Sequence, residues 1–163
     1  MTVYLNTQYQ RSGAGALVRY IDRGSERGGL RNAAGRRLAD REIDSFVGQS
    51  ERHQFERGMT ISPDPEADAS RADLERATER HLRDFMADRR SVSAVYAVHE
   101  PDRDVSVRHA HVALTGDEKD LYLDRGDLER QRTRLAKELE PGVERERSQE
   151  QEPEPERSIR ERR

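Results

Sequence analysis

Apolar positions recur along the chain with two different periods. Between Ala14 and Arg23 (AGALVRYIDR), Leu17 and Ile21 sit four apart and share one helical face. Ser12 or Gly13 can cap the start and Gly24 stands just past the end, so the pattern predicts a helix over 14–23. Tyr20 lies beside this stripe, near the C-terminal turn, where a side chain can reach out of the packed face. A longer stripe runs from Ser70 to Arg89, where Leu74, Ala77, His81, Leu82, Phe85 and Met86 recur at helical spacing. Ser70 with Asp73 resembles a capping box at its start. Its other face (Arg71, Glu75, Arg76, Glu79, Arg80, Arg83) reads as solvated and rich in charge pairs, not as a nucleic-acid patch. Ile43, Phe46 and Val47 predict a short helix around 40–49, and Asp124 with Asp127 opens a last one carrying Leu128, Leu135 and Leu139.

The second period is two. Val3 and Leu5 share a face in a short strand over Thr2–Asn6, and Phe55, Met59 and Ile61 mark a strand that ends at Pro63. Val95–His99 and Val107–Thr115 flank Pro101, Asp102, Arg103 and Asp104, which is a hairpin signal. Leu121–Leu123 reads as one more short strand. The stretch 24–41, with four glycines and many arginines, reads as loop, and Tyr9 falls in a loop. Strands and helices are mixed and the best-supported strand pair is antiparallel. The fold class expected is therefore α+β, a mostly antiparallel sheet with helices on one face and histidines exposed on the other.

Beyond Pro141 apolar residues almost vanish among Glu, Arg, Gln and Pro. Such a segment cannot bury enough surface to offset its ordering entropy, so a disordered charged tail over 141–163 is expected behind a domain spanning 1–140. In the chain of 163 residues, charged side chains make up 39% and apolar ones 32%, consistent with one modest core. There is no cysteine, which excludes disulfides and thiolate metal sites. No apolar run reaches the length of a membrane span or signal-peptide core, so a soluble, cytoplasmic protein without membrane contact is expected. The net charge of −3 averages unlike regions: up to Thr60 ten arginines face seven acidic residues, whereas from Glu138 six arginines face nine glutamates. A locally basic surface is thus compatible with nucleic acid.

Candidate chemistry centres on the hairpin, which holds three of the five histidines. His109 and His111 point to one side of their strand, and Val112 and Leu114 to the other. If the hairpin folds symmetrically about Asp104, His99 lies opposite His109, with Cβ atoms roughly 4.5–5.5 Å apart, and close to His111. Three neutral imidazoles can then share one divalent ion and leave positions open for water or substrate, although surface histidines with no ligand role fit the same spacing. Metal-assisted hydrolysis and metal-assisted transfer to a side chain both stay open. HExxH, P-loop and GxGxxG motifs are absent, and no nucleophile elbow surrounds Ser93.

Tyrosine is the remaining nucleophile type. Tyr96 has the opposite parity to His99 and should face away, and Tyr122 reads as packing. Tyr20 stands amid Arg19, Arg23 and Arg27, groups suited to a phosphate backbone, although an ordinary half-buried helix tyrosine reads equally well.

Three segments together resemble the relaxase, or mobilisation nuclease, family of HUH endonucleases. LVRYIDRG is similar to that family's catalytic-tyrosine segment with a YIxR pattern. ERHQFERGMTISPDPEAD is similar to its strand and turn before a long helix. YAVHEPDRDVSVRHAHVALTG is similar to its three-histidine motif. The resemblance runs from about Leu17 to Gly116, in order and in spacing.

It implies a palm-like antiparallel sheet that nicks one strand of plasmid DNA at a transfer origin for conjugative mobilisation. Tyr20 would become joined to the 5′ end, and His99, His109 and His111 would hold Mg²⁺ or Mn²⁺. Arg19 and Arg23 would contact single-stranded DNA laid across the sheet, and the implied further partners are relaxosome accessory proteins and a coupling ATPase. An acid that orients a ligand histidine or takes the tyrosine proton stays open among Glu100, Asp102 and Asp104. His53 reads as packing or as a contact behind a ligand, and His81 as structural. Two alternatives stand beside this reading: a rolling-circle replication initiator, whose tyrosine often follows the histidines, and a non-catalytic origin-binding accessory protein on the same fold.

Overall fold

A computed structural model describes residues 3–11, 14–23, 29–53 and 55–140. The caps expected at Ser12, Gly13 and Gly24, Arg27 and the tail over 141–163 lie outside the described residues. Five strands, β1 (Val3–Arg11), β2 (Arg31–Asn32), β3 (Phe55–Pro63), β4 (Ser93–His99) and β5 (His109–Thr115), form one sheet in the order β1-β3-β5-β4-β2. Every neighbouring pair is antiparallel. The helices are α1 (Ala14–Arg23), α2 (Asp40–His53), α3 (Arg71–Met86), α4 (Glu118–Leu121) and α5 (Arg125–Glu138), so the protein is α+β.

Alternation fixes what each face carries. Val3, Leu5, Met59, Ile61, Tyr96, Val98, Val112 and Leu114 point to one side, where they pack with Leu74, Leu82 and Phe85 of α3 and Leu135 of α5. The two covering helices begin as their sequences dictate. Ser70 Oγ accepts from Asp73 N at 3.1 Å while the Asp73 carboxylate accepts from Ser70 N at 2.9 Å. Asp124 and Asp127 repeat the arrangement at the start of α5, at 2.7 and 3.1 Å. Each box satisfies amide donors that a helix start otherwise leaves without partners.

The expectation that helices lie on one face is corrected. Helices cover both: Val18 and Ile21 of α1 and Phe46 of α2, with Leu30, pack on Val95, Ala97 and Ala113, which share the histidine face. The run AVYAV in β4 is apolar at successive positions, the mark of a strand buried on both sides. Leaving the Val95 row in water would forgo about 1.5–3 kcal/mol for each valine-sized side chain.

Three local expectations also change. Leu121 closes a single turn of helix, α4, and fills the core under the sheet, so 121–123 is not a strand. One apolar pair with no run behind it cannot set a period. Tyr9 belongs to β1, which extends to Arg11 because β3 offers it a full-length partner. From Gly29 onward the glycine-rich stretch is organised: Arg31 and Asn32 pair with Tyr96 and Val95, and Asn32 Oδ1 accepts from the amides of Ala34 and Arg36 at 3.0 and 2.9 Å. Gly35 turns this loop at φ +87°, in the left-handed region that favours glycine.

Candidate metal centre

The hairpin register is symmetric about Asp104, with His99 opposite His109. His111 faces Ala97 on one side and Thr60 of β3 on the other. All three imidazoles therefore stand on one sheet face, with ring centroids 4.5 Å apart for His99–His111, 4.6 Å for His109–His111 and 5.3 Å for His99–His109. One ligand nitrogen from each lies within 4.8 Å of the others, close enough to bind a metal ion.

The outward nitrogens are tied to the protein, and this decides which ones face inward. His109 Nδ1 is 2.8 Å from the Val107 carbonyl and His99 Nε2 is 2.8 Å from the Ile21 carbonyl. A carbonyl only accepts, so both nitrogens carry the proton and donate, which leaves His109 Nε2 and His99 Nδ1 with lone pairs. His111 Nδ1 meets Thr60 Oγ1 at 3.2 Å, a hydroxyl that can donate or accept. His109 Nε2 and His111 Nε2 approach to 3.0 Å. With the His111 proton on Nε2 these contacts form a continuous chain, in which Thr60 donates to His111 Nδ1, His111 Nε2–H donates to His109, and His109 donates to Val107. With a cation present, His111 would move its proton to Nδ1 and donate to Thr60. Such outer partners fix ligand orientation in metal sites generally.

The donor set is close enough to bind a metal ion. Burial lowers the pKa of His99. Burial and then the neighbouring His99 and His109 charges push His111 down to about 3. Both shifts favour the neutral form of His99 and His111, the form that ligates.

Two of the acids considered at the hairpin mouth, Glu100 and Asp102, are engaged in the turn itself. Glu100 accepts from Arg71 Nη1 at 3.2 Å and from Arg108 Nε at 2.7 Å, and Arg108 Nη1 also donates to the Ala69 carbonyl at 2.7 Å. Asp102 Oδ1 accepts from the amides of Asp104 and Val105, both at 2.8 Å, which holds its carboxyl below the usual range. Glu100 anchors the turn to the start of α3 and Asp102 braces its backbone. His53 Nδ1 sits 3.2 Å from Asp117, joining the end of α2 to the turn after β5. His81 is buried in α3, and neither of its ring nitrogens has a hydrogen-bond partner among the described residues.

Tyr20 comes to this cluster from α1. Its ring centroid lies 5.6 Å from that of His111, at an interplanar angle of 82°, and 6.4 Å from that of His99. Its side chain is 57% exposed. Ile21, the next residue, gives its side chain to the core and its carbonyl to His99, so one turn of helix serves packing, ligand orientation and the display of Tyr20. Arg19 is exposed on the same helix, and the Arg23 side chain lies outside the described residues. Tyr96 faces away as its parity requires: it is buried on the opposite face and donates to Glu79 at 2.6 Å. Among the described residues, Tyr20 is the tyrosine whose ring meets the histidines.

Sequence reasoning missed two residues on this face. Thr60 alternates with Met59 and Ile61, so its facing was legible, but its pairing with His111 depends on the β3–β5 register. Glu56, at the other end of β3, is 2% exposed with no hydrogen-bond partner on either carboxylate oxygen among the described residues, and burial raises its pKa to about 7. Nothing in its sequence context marks it as buried. Comparison of the chain with protein-family models, with curated protein sequences and with solved structures returned no match.

Proposed function

We propose that the chain is a metal-dependent, strand-specific DNA nuclease and strand transferase of the relaxase type, with Tyr20 as nucleophile. The observation that supports this most is the position of Tyr20, on the histidine face with its ring 5.6 Å from His111. His99, His109 and His111 hold Mg²⁺ or Mn²⁺ in this reading. When bound there, a divalent cation supplies Lewis-acid stabilisation of charge on a phosphate oxygen.

The Tyr20 hydroxyl oxygen attacks the scissile phosphorus and forms a phosphotyrosine bond. The bond from phosphorus to the 3′ oxygen breaks, that oxygen leaves as a 3′-hydroxyl once protonated, and the phenol proton passes to solvent. Reversal religates the strand. The exposure of the Tyr20 ring lets a strand reach it, and the Ile21–His99 hydrogen bond keeps its helix turn against the ligand cluster. Arg19 contacts the DNA backbone. A single strand at a transfer origin is the substrate, with accessory proteins and a coupling ATPase as partners in mobilisation.

A pool of single-stranded oligonucleotides with Mn²⁺, resolved on a denaturing gel, tests this. The expected product is a covalent protein–DNA adduct that disappears in Tyr20→Phe and in His109→Ala. An adduct that persists in Tyr20→Phe removes Tyr20 from the role, and full cleavage by His109→Ala removes the metal site. Binding without any adduct would instead favour the accessory-protein alternative.

A further inference from the structure

The sheet face beside the histidines is not covered evenly. Over β4 and β5 it lies beneath α1 and α2, through Val95, Ala97 and Ala113. Over β1 and the Thr60–Ser62 end of β3 it is open: Tyr4, Asn6 and Gln8 are exposed, and Thr60 and Ser62 are half-buried. None of these five carries a charge. A surface built for phosphates is cationic, whereas base edges are read by neutral donors and acceptors.

Between this open strip and α1 is a cavity of about 210 Å³, with Asn6, Gln8 and Thr60 on its sheet side and Tyr20 and His111 on the side of the metal centre. That volume is below the roughly 300–1,000 Å³ of sites that enclose whole ligands, so it suits one flat group. Asn6 and Gln8 are two apart on one strand, so their carboxamides stand on the same face. Among the described residues neither makes a side-chain hydrogen bond, and each offers a donor and an acceptor. A base held in a helix is stacked on both faces, so only an unpaired base leaves its stack to enter such a cavity.

We infer that this cavity receives a single unpaired nucleobase next to the phosphate attacked by Tyr20, and that Asn6 and Gln8 select its identity. The inference rests on the nuclease reading and adds a specificity determinant to it. The shared walls place the base: a group in the cavity touches Tyr20 and His111, so it belongs to a nucleotide flanking the bond that breaks.

The experiment sequences the DNA ends captured as covalent adducts from a randomised single-stranded pool with Mn²⁺. Wild type, Asn6→Ala, Gln8→Ala and the isosteric Asn6→Asp and Gln8→Glu are compared. Wild type is expected to show a preference of about 5- to 150-fold for one base at a position flanking the tyrosine-linked phosphate. The alanine variants flatten that position while the others keep their preferences. The acidic variants keep the side-chain shape but lose the donor, and shift the preference towards bases that present an amino group. Calorimetric Mn²⁺ binding by each variant confirms that its fold and metal centre are intact. Adducts whose base preferences are the same in all variants overturn the pocket and leave the nuclease reading standing. No adduct from wild type overturns both.

Discussion

Tyr20 and His111 meet edge to face, with ring centroids 5.6 Å apart, although one is carried by a helix near the N-terminus and the other by a strand far along the chain. Exposure of the Tyr20 ring leaves little packing for its hydroxyl to support. Tyr20→Phe is expected to stay within about 0.5 kcal/mol of wild-type stability in urea unfolding while adduct formation is lost. A variant that unfolded easily would show the hydroxyl to be structural.

Thr60 is expected to behave as the residue that orients His111. Thr60→Val keeps the shape and removes the hydroxyl that meets His111 Nδ1. Mn²⁺ affinity should fall by about 10- to 100-fold, and Thr60→Ser should restore most of it. Titration calorimetry reads both. Equal affinity in wild type and the valine variant would mean that His111 needs no partner behind it.

Glu56 predicts an acid-side gain in stability. Its carboxyl titrates near 7 in the fold because burial disfavours the charge, against 4.5 when unperturbed. Between those values the unfolded chain releases its proton and the native one keeps it, so stability from this group declines as pH rises through that window and is flat above it. The slope is on the order of 1 kcal/mol per pH unit. Glu56→Gln should be more stable than wild type at pH 8, by on the order of 2 kcal/mol, and nearly equal to it at pH 4.5. Urea midpoints at the two pH values give the comparison, and a constant difference would refute the cause.

Tyr96 tests the opposite face. Its buried hydroxyl donates to Glu79 at 2.6 Å, a hydrogen bond to a charged group. Tyr96→Phe should cost about 1.5–3 kcal/mol and leave Mn²⁺ binding unchanged. Thermal unfolding paired with calorimetry separates the two effects.

Much of this architecture was legible because it rests on local signals. The capping residues Ser70, Asp73, Asp124 and Asp127 mark helix starts, and the turn chemistry around Asp102 and Asp104 centres the hairpin and brings His99 opposite His109. What stayed hidden depends on contacts between distant segments. The sequence of β3 shows that Thr60 faces away from Met59, but not that His111 stands beside it. Cover over Val95 and Ala97 comes from Val18, Ile21 and Phe46, whose docking no periodicity within β4 reveals. The Ile21 carbonyl is a main-chain group, so no residue type could advertise its bond to His99.

That bond makes the three histidines unequal as targets for mutation. His109 leans on Val107 within its own hairpin and touches His111, and none of these contacts holds α1. His99 braces the helix turn that displays Tyr20, so His99→Ala removes a ligand and a strut together. Activity lost in that variant would report the histidine cluster and the placement of Tyr20 at once. His109→Ala is the cleaner knockout. The difference between the two variants in amide exchange over α1 measures how tightly His99 holds the helix turn that carries Tyr20.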